Sequence, residues 1–292
     1  MKLVNPSFEI YEQGPGLEGI YEAIERAGRT CYKSTRPEGQ TAKDFVDRMV
    51  ASQHYAMLEH GTVYLKIPVN IDVAGNFLDD VATWTKCKLV QEELGNWWAV
   101  TTNYRRIIEL GYQDYLQYLC EPTEFHKKRI TVHFVCDRGV SHEFVRHRVF
   151  SFAQESTRYC NYSKDRFGNE LTFIAPLWLT EYHYDGNTYS QIFLDSLKTA
   201  EGSYLDLLKK WEEKIPDARY KTGFRNNPWT PQQARQVLPN ALKTELVMTG
   251  FISDWQHFFD LRARGTTGAP HPDAKALAEP LMGEFLKRDL IK

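Results

Sequence analysis

Long apolar runs are absent from this sequence of 292 residues. Its longest mostly apolar stretches, such as Ile130–Cys136, fall far short of the roughly 20 residues that span a bilayer. The first residues reach Pro6 and Glu9 before an apolar segment can form, which argues against a signal peptide. We therefore expect no membrane partner and no export signal.

Cysteine is scarce, and its spacing forms no motif. The five cysteines are odd in number, and no two of them have Cys-x-x-Cys spacing. Free thiols in a reducing environment are the simplest interpretation. We therefore expect a cytoplasmic protein with no disulfide among Cys31, Cys87, Cys120, Cys136 and Cys160.

An excess of charge of one sign is also lacking. The 36 Lys and Arg residues and the 38 Asp and Glu residues leave a net charge of −2. Because bulk nucleic-acid binding requires a basic surplus, we expect no nucleic-acid partner. The contents of hydrophobic residues, 42%, and of charged residues, 25%, exclude a disordered chain.

What is present is a mixture of helical and extended patterns. Because strands and helices do not alternate regularly, we predict an α+β fold in one domain, residues 1–292. A loop-rich stretch is predicted at 160–186. The predicted strands are Thr62–Ile67, Trp97–Thr102, Ile130–Cys136 and Lys243–Thr249. The predicted helices are Leu17–Ala27, Thr41 through Val50, Asn70–Leu94, Tyr104–Leu119, Gly139–Val149, Thr188–Lys214, Thr230 to before Pro239, Ser253 to Arg264, and Asp273–Lys287. Pro280 should weaken or kink the last of these helices.

The densest polar segment is Ser141–Tyr159, which contains Arg146, His147, Arg148 and Arg158. Arginine grips phosphate with a planar fork, and the serines and Gln154 nearby could add further donors. Arg-His-Arg alone would favour a solvated helix end with surface arginines. With the following polar residues, the segment favours a site that orients an anion.

A zinc site is the competing interpretation of this segment, because His142-Glu143 is followed by His147. A zinc-protease helix needs its second histidine four residues after the first. Here the spacing is five, which places His147 about 140° around the helix from His142. We therefore predict no metal.

Two further segments carry polar residues with open interpretations. His54 and His60 flank a short segment before a strand, where turn hydrogen bonds are as plausible as function. A single helical arginine such as Arg262 is usually a surface residue.

Taken together, these segments resemble the flavin-dependent thymidylate synthases, the ThyX family. The ordered set extends over nearly the whole chain and is far more specific than one Arg-His-Arg. The matching residues are Ala27–Cys31, His54 with Glu59 and His60, Arg146-His147-Arg148 with Ser151, Ser156, Arg158 and Tyr159, Ala234-Arg235 with Leu238-Pro239, and His257 with Leu261-Arg262.

The resemblance implies a central, mainly antiparallel or mixed sheet flanked by helices. It implies reductive methylation of dUMP to dTMP, for dTTP biosynthesis, with methylenetetrahydrofolate as carbon donor. It implies FAD, reduced by NADPH, as hydride donor, and a homotetramer whose active sites are shared between subunits. The cofactor would supply the hydride chemistry while the protein orients and polarises the substrate.

The resemblance also assigns roles to individual residues. Arg262, beside the uracil edge, and His54, in proton traffic, are the expected catalytic residues. The expected dUMP contacts are Glu143, Phe144, Val145, Arg146, Gln154, Glu155, Ser156, Thr157, Arg158, Arg235 and Arg262. The expected FAD contacts are Ala56, Glu59, Arg146, His147, Arg148, Gln154 and His257.

The chain departs from the family pattern in three places. Ala153-Gln154 stands where the family often has Asn-Glu, and Phe251-Ile252-Ser253 where it often has Asn-x-Arg. Residues 71–129 resemble an insertion, in which Asn103 and Arg105 could assist the site. Cys160 is expected to be structural rather than a nucleophile.

Two alternatives stay open at this point. A nucleotide-binding relative that has lost its flavin would explain the departures. A nucleic-acid-binding protein would use the arginine-rich segment, against the net charge of −2.

Overall fold

The fold is built on antiparallel sheets, as seen in a computed structural model that describes residues 1–69, 74–82, 84–93, 95–182, 188–209 and 228–292. The strands are β1 (Lys2–Val4), β2 (Ser7–Tyr11), β3 (Thr62–Pro68), β4 (Lys86–Val90), β5 (Trp97–Asn103), β6 (Arg129–Asp137), β7 (Ser151–Gln154), β8 (Thr172–Ile174) and β9 (Lys243–Phe251). The helices are α1 (Gly16–Tyr32), α2 (Ala42–Ala51), α3 (Ala74–Asp80), α4 (Tyr104–Glu109), α5 (Arg138–Phe144), α6 (Leu177–Tyr182), α7 (Thr188–Leu207), α8 (Pro231–Ala234), α9 (Ile252–Arg262) and α10 (Pro272–Lys287). Short 3₁₀ turns cover Tyr55–His60, Gln113–Tyr118, Asp165–Phe167 and Arg235–Val237.

The largest sheet has the strand order β2-β6-β9-β7, and all its pairs are antiparallel. Strands β6 and β9 pair along their whole length, from Arg129 opposite Phe251 to Asp137 opposite Lys243. A second antiparallel sheet has the order β3-β5-β4, and β1 pairs with β8 in parallel. The predicted α+β class and the mainly antiparallel pairing are therefore confirmed.

Aromatic side chains form the core on one face of the largest sheet. Helices α5, α9 and α10 cover this face, where Phe134, Trp255, Phe258 and Phe285 are completely buried. Each such side chain contributes roughly 1.5–3 kcal/mol by leaving water. This packing fixes α9, and therefore fixes Arg262 at the end of that helix.

A second core joins α1 and α2 to the three-stranded sheet. Helix α1 approaches α2 closely at Gly28, where an added Cβ would lie 2.5 Å from Cζ of Phe45. Only glycine allows that approach. The carboxyl end of α1 is thereby brought beside the loop that follows β7, because the amide of Ser156 donates to the carbonyl of Cys31 at 3.0 Å.

The predicted strands at 62–67, 97–102, 130–136 and 243–249 are confirmed, and so are the helices at 17–27 and 273–287. Thr41 caps α2 as predicted, and α10 continues across Pro280. The predicted helix at 188–214 corresponds to α7 up to Leu207, and its predicted end lies outside the described residues.

The predicted helix at Asn70–Leu94 is wrong. The described part of that segment contains the short α3 and the strand β4, which pairs with β5 from Lys86 opposite Thr101 to Val90 opposite Trp97. Pairing with a distant strand overrides the local helical pattern here.

Several predicted boundaries also need correction. Helix α4 ends at Glu109 because Gly111 turns the chain with φ +77°, and a 3₁₀ turn follows instead of more helix. Helix α5 ends at Phe144 rather than Val149. Helix α9 starts at Ile252, before the predicted cap, because the carboxylate of Asp254 accepts from the amide of Phe251 at 2.9 Å. The stretch predicted as loop-rich contains β8 and α6.

No helix in the described part of the chain is long and apolar enough to cross a membrane.

Candidate active site

An open cleft of about 720 Å³ lies where the ends of α5 and α9 meet. The turn after α5 forms one wall, and residues 267–271 close the other side. Among its lining residues are Glu143, Arg146, His147, Arg148, His257 and Arg262. The structure therefore brings together the Arg-His-Arg motif and the distant His257 and Arg262.

Arg262 is held by three hydrogen bonds from its guanidinium group. Nη1 donates to Oε2 of Glu143 at 2.6 Å, Nη2 to the carbonyl of Glu143 at 2.8 Å, and Nε to Nε2 of His147 at 3.1 Å. The side chain is only 14% exposed. A lone surface arginine would not be fixed in this way, so the surface interpretation of Arg262 is wrong.

His147 serves as an acceptor and is therefore neutral at its Nε2. Burial, followed by the nearby Arg262 guanidinium, lowers the pKa of His147 to about 4. The lowered pKa agrees with the geometry, since a protonated imidazole could not accept from Arg262. The side chain of His147 is buried, and its Nε2 is hydrogen-bonded to Arg262 rather than to solvent.

The other basic side chains of the cleft face solvent. The side chain of Arg146 is 72% exposed, and its Nη1 lies 3.7 Å from Glu143. Arg148 and His257 are also exposed. These cations remain available to an anionic ligand, as the sequence predicts for a site that holds a nucleotide.

Two of the predicted dUMP contacts, Phe144 and Val145, do not line the cleft. The ring of Phe144 is fully buried in the core, and Val145 packs against the same core. Phe144 could therefore contact a ligand only through its backbone, while Val145 is partly buried.

A second group of predicted residues lies on the loop from Gln154 to Arg158, after β7. The carboxylate of Glu155 is buried and accepts from Tyr162 Oη at 2.9 Å and from Lys243 Nζ at 2.8 Å. The amide of Glu155 donates to the carbonyl of Glu245, and Gln154 donates to Ser141 Oγ at 2.9 Å. This loop is held by internal hydrogen bonds on its buried side.

A network of charged side chains supports the loop on its buried side. Glu245 contacts Lys33 and Lys243, and His133 Nε2 lies 3.2 Å from it. Burial alone would raise the pKa of Glu245, but the hydrogen bonds from His133 and the two lysines hold it well below its usual value. Burial would likewise lower the pKa of Lys243, but Glu155 and Glu245 raise it. Lys243 and Glu245 are therefore both charged at neutral pH.

The two arginines of this group have only neutral partners. Arg158 Nε donates to Gln232 Oε1 at 2.9 Å, and Arg235 Nη1 donates to Thr157 Oγ1 at 3.4 Å. Neither arginine forms an ion pair with another described residue. An incoming phosphate could therefore recruit both without breaking an ion pair.

His54 is linked to this loop through Tyr32. Nδ1 of His54 lies 3.3 Å from the hydroxyl of Tyr32, whose ring lies 5.4 Å from that of Tyr159. Ala56 and Glu59 follow on the 3₁₀ turn, where Oε1 of Glu59 accepts from Arg105 at 2.7 Å. His60 is buried against Thr249 Oγ1 at 2.8 Å, which fits the structural interpretation of that histidine.

The predicted residues therefore form two groups. The residues that line the cleft do not include Ser156, Thr157, Arg158 or Arg235. Sequence reasoning did not identify Tyr32, Tyr162 or Gln232, and it did not identify the pair Lys243 and Glu245. The alternation of β9 places Lys243 and Glu245 on one face, which was the only available signal for this pair.

The thiols near the loop are not activated. Burial raises the pKa of Cys31 and of Cys160 to about 11. All five cysteines are free thiols. Cys160 therefore has the structural character expected of it. No group of three or more potential metal ligands occurs among the described residues.

Comparison with known proteins gives a consistent result. Residues 99–288 match the family Thy1, described as thymidylate synthase complementing protein. The flavin-dependent thymidylate synthase of Mycolicibacterium gilvum is 30% identical over 56% of this chain and 57% of its own length. That of Mycobacterium avium is 32% identical over 43% of this chain and 46% of its own length. The chain thus aligns with only about half the length of these curated relatives.

Among solved structures, the UMP/dUMP methylase PolB from Streptomyces cacaoi, bound with 5-Br dUMP, aligns with 98% of this chain and 93% of its own. The TM-score is 0.44 and the sequence identity 15%.

Proposed function

This chain belongs to the Thy1 family of thymidylate synthase complementing proteins, the flavin-dependent thymidylate synthases, and from that membership we propose that it converts dUMP to dTMP. Methylenetetrahydrofolate supplies the carbon, and NADPH supplies the electrons by way of FAD. The observation that carries this proposal is Arg262, fixed by Glu143 and His147 at the edge of a cleft with two exposed arginines.

In this proposal Arg262 polarises the uracil ring. Its guanidinium is held rigidly and can stabilise negative charge that develops on the ring. Glu143 and His147 keep it oriented, and His147 stays neutral so that it does not repel the guanidinium. Glu143 to Arg146 contact the nucleotide from this side.

The loop from Gln154 to Arg158 binds the phosphate of dUMP in this proposal. Ser156 and Thr157 offer hydroxyl groups, and Arg158 and Arg235 offer guanidinium groups whose present partners are neutral. The buried pair of Glu155 with Lys243 keeps the loop in place. Phosphate binding needs such a preformed set of donors.

The cleft suits the phosphates of FAD. Arg146 and Arg148 face solvent there, and His257 lies beside them with its ring 6.2 Å from that of His147. When bound, FAD supplies the hydride. The proposed contribution of Ala56, Glu59 and Gln154 is to hold the cofactor, and that of His54, held near Tyr32, is to move a proton.

The separation of the predicted residues into two groups supports a site shared between subunits. One group lies at the cleft and the other on the loop, and a nucleotide that needs both could take them from two copies of the chain. We propose the homotetramer on this ground. We also propose that residues 1–292 form one domain, in which the segment 71–129 carries β4 and β5, and that the protein acts in the cytoplasm.

The first test is the visible absorption spectrum of the purified protein with added FAD, before and after dUMP. A flavin spectrum that changes on addition of dUMP is the expected result. Formation of dTMP from dUMP, methylenetetrahydrofolate and NADPH would then be followed by chromatography. A protein that binds dUMP but takes up no flavin would contradict the proposal and would favour the nucleotide-binding alternative.

A further inference from the structure

Glu59 is held by two arginines of the segment 71–129. Nη1 of Arg105 donates to its carboxylate Oε1 at 2.7 Å, and Nη1 of Arg129 donates to its backbone carbonyl at 3.0 Å. Arg129 is buried, and the side chain of Glu59 is only 11% exposed. The backbone and the side chain of this glutamate are therefore both fixed by residues that are distant in the sequence.

Arg105 is itself held by a second carboxylate on its own helix. Its Nε and Nη2 donate to the two oxygens of Glu109, each at 3.0 Å, which is the bidentate geometry that suits a guanidinium. The two residues are four apart on α4 and share one face of the helix. The hydrogen bonds from Arg105 lower the pKa of Glu109, so the pair is charged at neutral pH. Arg105 thus presents Nη1 to Glu59 in a fixed direction.

The helix that carries Arg105 is anchored to the turn that carries Glu59. The amide of Tyr104 donates to the carbonyl of Gly61 at 2.8 Å, and the side chain of Asn103 caps the same helix. Just before these residues, β5 pairs with β3, the strand that follows the turn. Backbone contacts therefore set the position of Arg105 relative to Glu59.

One oxygen of the Glu59 carboxylate has no hydrogen bond within the described part of the chain. Oε1 accepts from Arg105, whereas no described residue donates to Oε2. A carboxylate oxygen is a strong acceptor, and one that is already fixed binds a donor at a lower cost in ordering. The geometry therefore suits Glu59 to accept from a ligand, with Arg105 as the group that directs it.

We propose that Arg105 is a positioning residue for the cofactor and acts through Glu59. The inference rests on the proposed function, in which Glu59 helps to hold FAD. It adds a residue to which that proposal gives no role, and it gives the segment 71–129 a part in cofactor binding. Arg105 contributes by keeping the carboxylate in one orientation, not by contact with the cofactor.

The test is a double-mutant cycle on FAD affinity in the full chain. Dissociation constants are measured by calorimetric titration, without turnover, for wild type, Arg105→Gln, Glu59→Ala and the double variant, and circular dichroism checks each fold. Arg106→Gln is the matched control, because Arg106 is the next residue of α4 and its loss removes the same charge. Its guanidinium donates to the carbonyl of Asp80 at 2.7 Å instead.

We expect Arg105→Gln to weaken FAD binding about tenfold, the effect of a charged hydrogen bond that is no longer well directed. Glu59→Ala should weaken it at least as much. The double variant should bind no more weakly than Glu59→Ala alone, because Arg105 acts only through that carboxylate. Arg106→Gln should bind FAD as wild type does.

Unchanged FAD affinity in Arg105→Gln would overturn this inference alone, as would equal losses in Arg105→Gln and Arg106→Gln, or losses that add in the double variant. If Arg105→Gln does not fold, Glu109→Gln replaces it, because this change releases Arg105 from its helix and keeps its charge. A loss of about threefold is then expected, and unchanged affinity would contradict the positioning role. A wild type that binds no FAD would disprove the proposed function and this inference together.

Discussion

The cleft around Arg262 and the loop from Gln154 to Arg158 hold their charges in different ways. In the cleft, Arg262 is fixed while Arg146 faces solvent with 72% of its side chain exposed. In the loop, the Glu155 side chain is 2% exposed and is neutralised by Lys243. The cleft keeps its cations available to a ligand, whereas the loop uses its buried charges to hold its own shape.

This difference separates two kinds of functional residue. Arg262 is expected to act on the reacting ring, so its loss should reduce turnover with little change in stability. Lys243 is expected to act through Glu155, so its loss should first reduce stability. Variants at the two places should therefore change different measured quantities.

The largest effect is expected for Arg262→Ala. Loss of one fixed charge at a developing anion costs about 10²–10³-fold in kcat. The fold should persist because the guanidinium lies at the end of α9, outside the aromatic core. Formation of dTMP is measured with saturating dUMP, and circular dichroism checks the fold.

Arg264→Ala is the matched control for that experiment. Arg264 lies two residues further along, and among the described residues it forms its ion pair with Asp260, at 2.8 Å. Its variant should keep nearly full activity. Equal turnover for wild type and Arg262→Ala would show that the role given to Arg262 is wrong.

A smaller but still large effect is expected for Lys243→Met. The change leaves Glu155 buried without its cation, and breaking a buried pair costs about 3 kcal/mol or more. The free energy of unfolding in urea should fall accordingly. Adding Glu155→Gln should recover most of the loss, because the amide keeps the bond from Tyr162 and carries no charge. A double variant as unstable as Lys243→Met would contradict the assigned pairing.

The sequence predicted the residues of the cleft better than the partners of the loop, because the cleft residues form recognisable patterns and the loop depends on partners from other elements. The motif Arg146-His147-Arg148 and the distant Arg262 are visible as residue patterns, and the structure brings them to one cleft. The partners of Glu155 come from Tyr162 on a nearby turn and from Lys243 on β9. No local pattern indicates that a lysine far along the chain will neutralise a buried glutamate.

The fold shows the same limit. Strands β6 and β9 were predictable because β-branched and aromatic residues fill them. Strand β4 was predicted as helix, and its pairing with β5 could not be read from its own sequence. The contact of Lys86 with Ser253 could not be predicted for the same reason, since it depends on where β4 lies.

A moderate effect is expected for Arg158→Ala on the loop. Its side chain is exposed, and within the described part of the chain its guanidinium donates to the neutral Gln232. We expect dUMP to bind about tenfold more weakly with little change in stability. Isothermal titration with dUMP measures this.

Arg166→Ala provides the comparison for Arg158→Ala. Arg166 is a nearby arginine that lies over the ring of Phe167 at 4.7 Å and has no proposed role in binding. Its variant should bind dUMP as wild type does. Unchanged affinity in Arg158→Ala would remove the phosphate assignment from the loop and leave the cleft as the main anion site.

The smallest effect is expected for His147→Gln. This variant distinguishes the cleft from the loop, because the two regions lose their contributions to stability in different pH ranges. The pKa of His147 is lowered to about 4 in the folded protein, against 6.5 ordinarily, so the unfolded chain binds the extra proton first. Wild type should therefore lose stability as the pH falls from about 6.5 to about 4. The glutamine variant should lack this part of the loss, and its turnover should fall only about fivefold, because the amide oxygen of glutamine can still accept a hydrogen bond from Arg262. The loop should respond at lower pH, because Glu245 has a lowered pKa and loses its contribution to stability only below its ordinary pKa of 4.5.

Urea unfolding of wild type and of His147→Gln at pH 7 and at pH 5 measures the difference in stability between the two proteins. Identical pH slopes in the two proteins would mean that His147 is not the neutral acceptor of Arg262.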